Sequence, residues 1–205
     1  MGGYDLGTSS GITGTSHFGE TQATFTKATP SYLTGASGVP VSFDESFSFC
    51  GYIRHLNEGA GDVFSIHSSA GVQLVRLHLE TSAERMYMSV GGAIASYVPP
   101  DGTTPVLFYA WYDVELENFG YLFFDTSGAP APAGLRTAAL DGTQPDIGVA
   151  ELTFGTNPDL STNPVSMVLA NWSFYSRKLT YSELLWMGNA GTPRTYTEIS
   201  DYKGY

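Results

Sequence analysis

The fold is decided by one stretch near the C-terminus, Val168-Leu169-Ala170-Asn171-Trp172-Ser173-Phe174-Tyr175-Ser176-Arg177-Lys178-Leu179-Thr180, which Tyr181-Ser182-Glu183-Leu184-Leu185 follows. Its first part carries an alternating apolar set and predicts a core strand that ends at Tyr175. Thr180 and Glu183 have the spacing of a capping box, in which each side chain satisfies a free amide at the start of a helix. Gly188 provides a stop. The stretch therefore predicts a strand followed by a short helix over residues 180–188.

Outward from this stretch, short runs rich in β-branched and aromatic residues recur between turn signals, as in a β-sandwich. In the clearest run, Phe47, Phe49 and Ile53 fall on one face with a period of two. The other runs are residues 62–67, 72–79, 85–90, 106–114, 121–125, 151–154 and 165–175. Together they predict eight or more antiparallel strands.

Composition limits both the architecture and the partners. The 205 residues include 24 Gly and 11 Pro but only 9 Lys and Arg, which favours one β-rich domain with many loops. The formal net charge of −11 disfavours nucleic acid and anionic membranes, whose binding depends on cationic side chains. The one cysteine, Cys50, excludes an intrachain disulfide, and its place in an apolar run predicts a buried thiol.

Three regions are predicted along the chain. Residues 1–23 are rich in Gly, Ser and Thr and are predicted to form an extended N-terminal arm that anchors the protein to a neighbouring subunit. Residues 24–190 are predicted to form the sandwich, and residues 191–205 a C-terminal tail. Within the sandwich, residues 127–146 are punctuated by glycine and proline and are predicted to form a long functional loop.

The closing stretch resembles the end of laminin-G-like and pentraxin-like domains of the concanavalin A-like lectin class. In that family the last core strand runs into an arginine, a leucine and a capped helix with glutamate. The residues in register with this pattern are Tyr175, Arg177, Leu179, Thr180 and Glu183. Residues 46–53 resemble an early strand of the family, and residues 106–113 with 121–125 resemble its hairpin. The resemblance implies an all-β fold, an antiparallel jelly-roll β-sandwich with one short C-terminal helix.

The resemblance also bears on metal binding. Many members of the family hold calcium, which takes about six to eight oxygen ligands. Ala170 and Asn171 stand where the family carries aspartates in its last strand. The remaining candidate metal ligands are Asp113, Glu115 and Asp125. Calcium is the one ion that the resemblance implies, and no cofactor is predicted to be required. Alternatively, an aspartate that ends a strand caps a turn through its own side chain.

Three residues are candidate glycan ligands. Tyr97 lies beside two prolines and Trp111 between two tyrosines, and both offer rings on which a sugar can stack. Asn171 adds an amide. Alternating aromatic residues in a sandwich also form the core, and that alternative is open for both rings.

One acidic run would suit an enzyme. Asp113, Glu115 and Glu117 alternate, and some sandwich-fold glycosidases carry alternate carboxylates on a strand. Retaining chemistry needs two carboxyl groups about 5 to 5.5 Å apart. The resemblance places this run at the end of a strand and in its turn. We therefore predict a solvated acidic turn and no enzymatic activity.

The leading functional prediction is a non-catalytic structural or decoration protein of a virion, on the capsid or tail, that displays the sandwich for assembly or surface attachment. Such folds recur in tailed bacteriophages, and the N-terminus shows no signal peptide, so the chain would be made in the host cytoplasm. The predicted partners are other virion subunits, further copies of the chain in a homo-oligomer and a cell-surface glycan, without nucleic acid or membrane insertion. The alternatives are a glycan-binding lectin or adhesin, assisted by calcium, and a sandwich-fold glycosidase.

Overall fold

The structure is a computed structural model in which two antiparallel sheets face each other and one helix lies against the outside of one sheet. The residues that it describes are 8–10, 13–17, 20–26, 32–35, 43–55, 60–68, 72–80, 85–90, 93–97, 106–124, 136–139, 150–160 and 162–188. This is the predicted all-β jelly-roll sandwich with a short C-terminal helix.

Within these residues, each sheet has seven strands. The strands of sheet A, in their order across the sheet, are β1 (Thr8–Ser10), β4 (Tyr32–Gly35), β13 (Ala150–Phe154), β6 (Gly61–Ser68), β7 (Gln73–Glu80), β8 (Arg85–Val90) and β9 (Ala93–Tyr97). Those of sheet B are β12 (Arg136–Ala139), β11 (Asn118–Phe124), β10 (Val106–Asp113), β5 (Phe47–His55), β14 (Met167–Tyr175), β3 (Glu20–Phe25) and β2 (Thr13–His17).

The described part of the predicted N-terminal arm is paired within the sheets. β1 pairs with β4 in sheet A, while β3 pairs with β14 and β2 with β3 in sheet B. Residues 8–10, 13–17 and 20–23 thus belong to the sandwich and do not extend away from it. The boundary predicted at residue 24 falls inside β3. The predicted tail, residues 191–205, lies outside the described residues, and the predicted loop 127–146 contains β12.

The core between the sheets is aromatic. Phe49 and Phe108 of sheet B face Phe64 and Phe154 of sheet A, and all four side chains are buried. The indole of Trp172 lies among them, with ring centroids 5.3 Å from Phe154 and 5.4 Å from Phe64. Aromatic pairs at these separations add to the free energy of burial.

A bulge in β14 brings Trp172 into the core. Met167 and Leu169 point into the core, so strict alternation would continue with odd-numbered residues. The register shifts between Ala170 and Ser173, which reverses the alternation. Trp172 and the following even residue, Phe174, then pack against the core.

The helix α1 (Tyr181–Gly188) covers the outer face of sheet B. The buried residues of this second apolar layer are Cys50, Tyr52, Leu107, Tyr109, Trp111, Leu122, Ala170, Leu179, Leu184 and Met187. As predicted, Cys50 is buried, and burial raises the pKa of its thiol to about 12. α1 is eight residues long, and no helix in the described part of the chain is long and apolar enough to cross a membrane.

The predicted capping box is present at the start of α1. The backbone N–H of Glu183 donates to Thr180 Oγ1 at 3.3 Å, and the backbone N–H of Thr180 donates to Glu183 Oε2 at 2.7 Å. Arg177 donates from Nη1 to Glu183 Oε2 at 2.9 Å and from Nη2 to Oε1. Arg177, and then the Thr180 donors, lower the pKa of the Glu183 carboxyl to about 2.

Glu183→Gln is expected to lower the free energy of unfolding at neutral pH by about 1–2 kcal/mol, a value reduced by solvent screening around the half-exposed Arg177. Because the pKa of Glu183 falls on folding, its ionic contribution is complete above the unfolded pKa of 4.5 and is lost as the pH falls towards 2. Urea unfolding of both proteins between about pH 7 and pH 2.5 measures the difference. We expect it to shrink with falling pH, and a difference independent of pH would contradict this assignment.

Candidate functional site

The β10–β11 hairpin carries the predicted acidic turn, and Asp113 caps it. Asp113 Oδ1 accepts hydrogen bonds from the backbone N–H groups of Glu115 at 3.2 Å and Leu116 at 3.3 Å. Its Oδ2 accepts from Lys178 Nζ at 2.9 Å. Lys178, assisted by the turn amides, lowers the pKa of the Asp113 carboxyl. Asp113 thus has the turn-capping role that was the alternative to metal binding.

The other acidic residues of this turn point to solvent. Glu115 and Glu117 are exposed, and Asp125 lies outside the described residues. Within the described ranges, no three His, Cys, Asp or Glu side chains are grouped so that they could hold a metal ion. Calcium binding at Asp113, Glu115 and Asp125 stays a prediction, and a cation at Asp113 would compete with Lys178.

Trp111, the first predicted stacking ring, lies beneath α1. Its ring stacks on Tyr109 with centroids 5.2 Å apart, and Lys178 Nζ lies 5.5 Å from its centroid. Only 5% of the residue is exposed. The alternation of β10 turns Tyr109 and Trp111 to the same side, and that side is the one that the helix covers. In this position Trp111 supports the helix and presents no open ring face to a sugar.

The other two predicted ligand residues are described by their backbone alone. Tyr97 ends β9, where it pairs with Met86, and Asn171 lies in the bulge of β14. Their side chains lie outside the described part of the structure, and their roles stay predictions. Tyr97 belongs to sheet A, whereas Trp111 and Asn171 belong to sheet B. The three residues do not share one sheet.

Another set of polar residues comes together on the side of sheet A that faces away from the core. We call it the polar face. Its members are Asp62, Ser65, His67, Gln73, Arg76, His78, Ser89, Glu151 and Thr153. Apolar neighbours such as Ile66, Val75 and Leu152 point into the core, so alternation places this polar set on the opposite side. Five members are buried: Asp62, Ser65, His67, His78 and Thr153.

Asp62 fixes one end of the polar face. Its fully buried carboxylate accepts from Arg76 Nε at 2.7 Å and His78 Nδ1 at 2.5 Å through Oδ1. Gln73 Nε2 donates to Oδ2 at 3.5 Å. A bulge between Asp62 and Phe64 turns the carboxylate away from the core. One buried anion thus positions three side chains of β7, and two of them bear or can bear positive charge.

His67 and Thr153 fix the other end. His67 Nδ1 donates to the Ser68 carbonyl at 3.1 Å, so the hydrogen-bond network assigns Nε2 as the acceptor of the Thr153 hydroxyl at 2.9 Å. Glu151 Oε2 lies 4.0 Å from His67 Nδ1. The order of hydroxyl, imidazole and carboxylate is that of an activated nucleophile. Thr153 is only 1% exposed, however, so a substrate cannot reach its hydroxyl, and the contact serves to satisfy a buried polar group.

One row of the polar face crosses four strands. Thr153, Ser65, Arg76 and Ser89 are successive cross-strand partners from β13 to β8. The spacing of neighbouring strands makes this row about 14 Å long. At its centre Ser65 is fully buried, and its Oγ has no hydrogen-bond partner among the described residues. Beside it, Arg76 keeps 23% of its side chain exposed. The row offers fixed donors and acceptors with Arg76 at the surface.

The loop between β13 and β14 forms a fixed rim beside Asp62. The backbone N–H of Asp62 donates to the Asn163 carbonyl at 2.8 Å, and that of Gly155 donates to the Val63 carbonyl at 3.0 Å. Gly155, Leu160 and Asn163 have φ values of 84°, 60° and 52°. These left-handed positions fold the loop back onto the start of β6. Binding surfaces often form on loops that a rigid scaffold holds in this way.

The polar face is not apparent from the sequence, because its members are spread over separate strands of the chain. The informative signal was the set of polar residues that alternate with apolar ones in β6 and β7, namely Asp62, Ser65 and His67 opposite Arg76 and His78. Only the pairing of the two strands brings them together.

Neither a protein-family model nor a curated protein sequence matches the chain. Among solved structures, the native heptameric SAP-like pentraxin from Limulus polyphemus matches at a TM-score of 0.59 and 14% identity, over 76% of this chain and 74% of the pentraxin chain. The binding domain of botulinum neurotoxin DC in complex with rat synaptotagmin II matches at a TM-score of 0.66 and 11% identity, over 92% of this chain and 46% of that chain. The same domain in complex with SialylT matches at a TM-score of 0.64 and 11% identity, over 92% of this chain and 46% of that chain.

This chain therefore spans about half the length of the neurotoxin domains and most of the pentraxin. The identities are too low to carry over any residue role. What the likeness establishes is the fold: the chain has the lectin-like jelly-roll sandwich that pentraxin and neurotoxin binding domains share.

Proposed function

We propose that the chain is a non-catalytic, lectin-like binding module that takes a glycan on the polar face of sheet A. The observation that carries this proposal is the row across sheet A, in which Arg76 and Ser89 are partly exposed. Outward-facing polar residues of a sheet are ordinarily solvated, whereas here Ser65 and Thr153 are buried and Arg76 is held by Asp62. Glycan hydroxyl groups need such prearranged donors and acceptors, because each hydrogen bond to water that binding removes must be replaced.

The members of the face have different roles in this proposal. Arg76 and Gln73, which are partly exposed, contact the glycan, and Ser89, also partly exposed, supplies a hydroxyl beside Arg76. Asp62 and His78 are positioning residues because they act through Arg76. The planar guanidinium of Arg76 suits two neighbouring oxygen acceptors.

The comparisons support binding in preference to catalysis, because the similar neurotoxin structures are binding domains. Synaptotagmin II and SialylT are partners of the neurotoxin domain in two of them. This chain covers less than half of that domain, so neither partner is transferred here, and the glycan class must come from the polar face itself.

A glycan array tests the proposal. It is probed with the full chain in calcium and again in a chelator, because the predicted calcium ligands Asp113 and Glu115 lie in the hairpin of sheet B, away from the polar face. We expect binding that persists without calcium. A blank array under both conditions would overturn glycan binding, and binding lost in the chelator would overturn its assignment to the polar face.

Variants of the row test whether the glycan binds there. Their affinities for the glycan with the strongest array signal are measured by titration calorimetry. Ser89→Ala is expected to weaken binding about two- to tenfold, since the Ser89 side chain is partly exposed and lies beside Arg76 in the row. Arg76→Lys, which keeps the charge but removes the planar fork, is expected to weaken it about tenfold. Glu117→Gln on the exposed turn of sheet B is the matched control. Unchanged affinity of both row variants would place the glycan elsewhere.

The virion role predicted from the sequence is a second proposal. It is favoured by the sheet ends, because β2 and β12 are the outermost strands of sheet B in the described part of the fold, and outermost strands can pair with another subunit. Deleting residues 1–20 would remove β1 and β2 from the sheets and would damage the fold as well as any anchor. Mass spectrometry of purified virions is the better test. Stoichiometric presence of the chain is expected, and its absence would overturn the proposal.

A further inference from the structure

The positive charge on the polar face is neutralised inside the protein. Arg76 Nε lies 2.7 Å from Asp62 Oδ1, and the Asp62 carboxylate is fully buried. A charge pair this close presents little net field to a ligand, although Arg76 has further N–H donors besides Nε and the Nη2 that lies 2.8 Å from His78 Nδ1. His67 is buried, and its two ring nitrogens contact the Ser68 carbonyl and the Thr153 hydroxyl, so neither is turned towards a ligand.

Negative charge lies at the edge of the same face. Glu151 stands on β13 opposite His67, and 41% of its side chain is exposed. The formal net charge of the chain is −11, so the wider field also repels anions. An acidic ligand would meet this repulsion without an unpaired cation among the described members of the face.

We propose that the polar face selects an uncharged glycan over an acidic one. This inference rests on the proposed function and specifies its ligand class. Hydroxyl groups both donate and accept, so they can engage the partly exposed Arg76, Gln73 and Ser89 without bringing in a charge. A terminal sialic acid adds a carboxylate, which must lose water near Glu151 and meets no unpaired cation among the described members of the face.

A matched pair of glycans tests the selection. The uncharged glycan with the strongest array signal is compared with the same glycan carrying a terminal sialic acid, by calorimetry at low and high salt. We expect the uncharged form to bind at least about fivefold more tightly, with a ratio that narrows in high salt as repulsion is screened. Equal or tighter binding of the sialylated form would overturn the selection while leaving glycan binding intact. Failure of both forms, with a blank array, would overturn the proposed function.

Two charge variants test whether the preference for the uncharged glycan arises at the polar face. Glu151→Gln removes one negative charge at its edge and is expected to raise the ratio of sialylated to uncharged affinity about two- to threefold. Glu117→Gln removes the same charge from the exposed turn of sheet B and is expected to leave that ratio unchanged. An equal response to the two variants, or no response to Glu151→Gln, would overturn the local origin of the selection.

Discussion

Asp62→Asn is expected to lower the free energy of unfolding by about 3–5 kcal/mol, the scale seen when one partner of a buried ion pair is removed. The asparagine side chain has the right size, but it leaves Arg76 without a counter-charge. It also turns one acceptor into a donor among the donors Arg76, His78 and Gln73. Urea unfolding followed by tryptophan fluorescence measures the loss, which is a large part of the roughly 5–15 kcal/mol typical of a domain.

The same substitution at Asp113 is the control for Asp62. Asp113 also pairs with a cation, but its partner Lys178 is substantially exposed, so Asp113→Asn is expected to cost about 1 kcal/mol or less. Similar losses for the two variants would contradict the anchoring role of Asp62. If Asp62→Asn fails to fold, Asp62→Asn combined with Arg76→Gln removes both charges and is expected to recover part of the loss.

Trp172→Ala is expected to destabilise the protein by about 3–5 kcal/mol, because it opens a cavity where the two sheets meet. The indole contacts Phe154 and Phe64 of sheet A, lies 6.3 Å from Phe49 of sheet B and donates from Nε1 to the Tyr52 carbonyl at 3.3 Å. Differential scanning calorimetry should show a melting temperature lower by about 10 °C. A change of less than about 2 °C would show that the sheets meet without this side chain.

Gly51 supplies the control for Trp172. A Cβ atom added at Gly51 would lie 2.5 Å from Trp172 Cδ1, so the glycine makes room for the indole. Gly51→Ala alone is expected to cost about 1–3 kcal/mol through overpacking. In the Trp172→Ala background the methyl group enters the cavity, and its cost should fall to near zero. Strictly additive losses would contradict the contact.

Those parts of the fold that depend on local chemistry could be predicted. Phe47, Phe49 and Ile53 alternate along β5 and do point into the core, and the Thr180–Glu183 capping box begins α1. β1, β2 and much of β3 could not be predicted, since Thr, Ser and Gly give little apolar alternation. β2 pairs with β3, and β3 is placed in sheet B by β14, which is distant in sequence.

The candidate site depended on features that a single strand does not reveal. The aromatic type of Trp111 suggests stacking on a sugar, but α1 covers that face of β10. This helix follows about seventy residues later, and Tyr109 Oη contacts the Leu179 carbonyl across that separation. Asp62 faces outwards because a bulge reverses the alternation of β6. A bulge, or the covering of a strand by a distant helix, depends on tertiary structure. The sequence therefore shows the residue types but not which side chains come together.

The position of β14 has a consequence for the newly made protein. β14 lies between β3 and β5, and the outer faces of β5 and β10 are covered by α1, which follows β14 in the chain. On the ribosome, sheet B therefore stays split until residues 167–175 emerge, and the Tyr52, Tyr109 and Trp111 side chains stay uncovered until residue 187. Chaperones bind such aromatic surfaces and open strand edges. A ribosome that stalls before this point leaves Tyr52, Tyr109 and Trp111 exposed, so a chaperone can bind the incomplete chain. Once α1 has emerged and covers these side chains, this binding surface is lost.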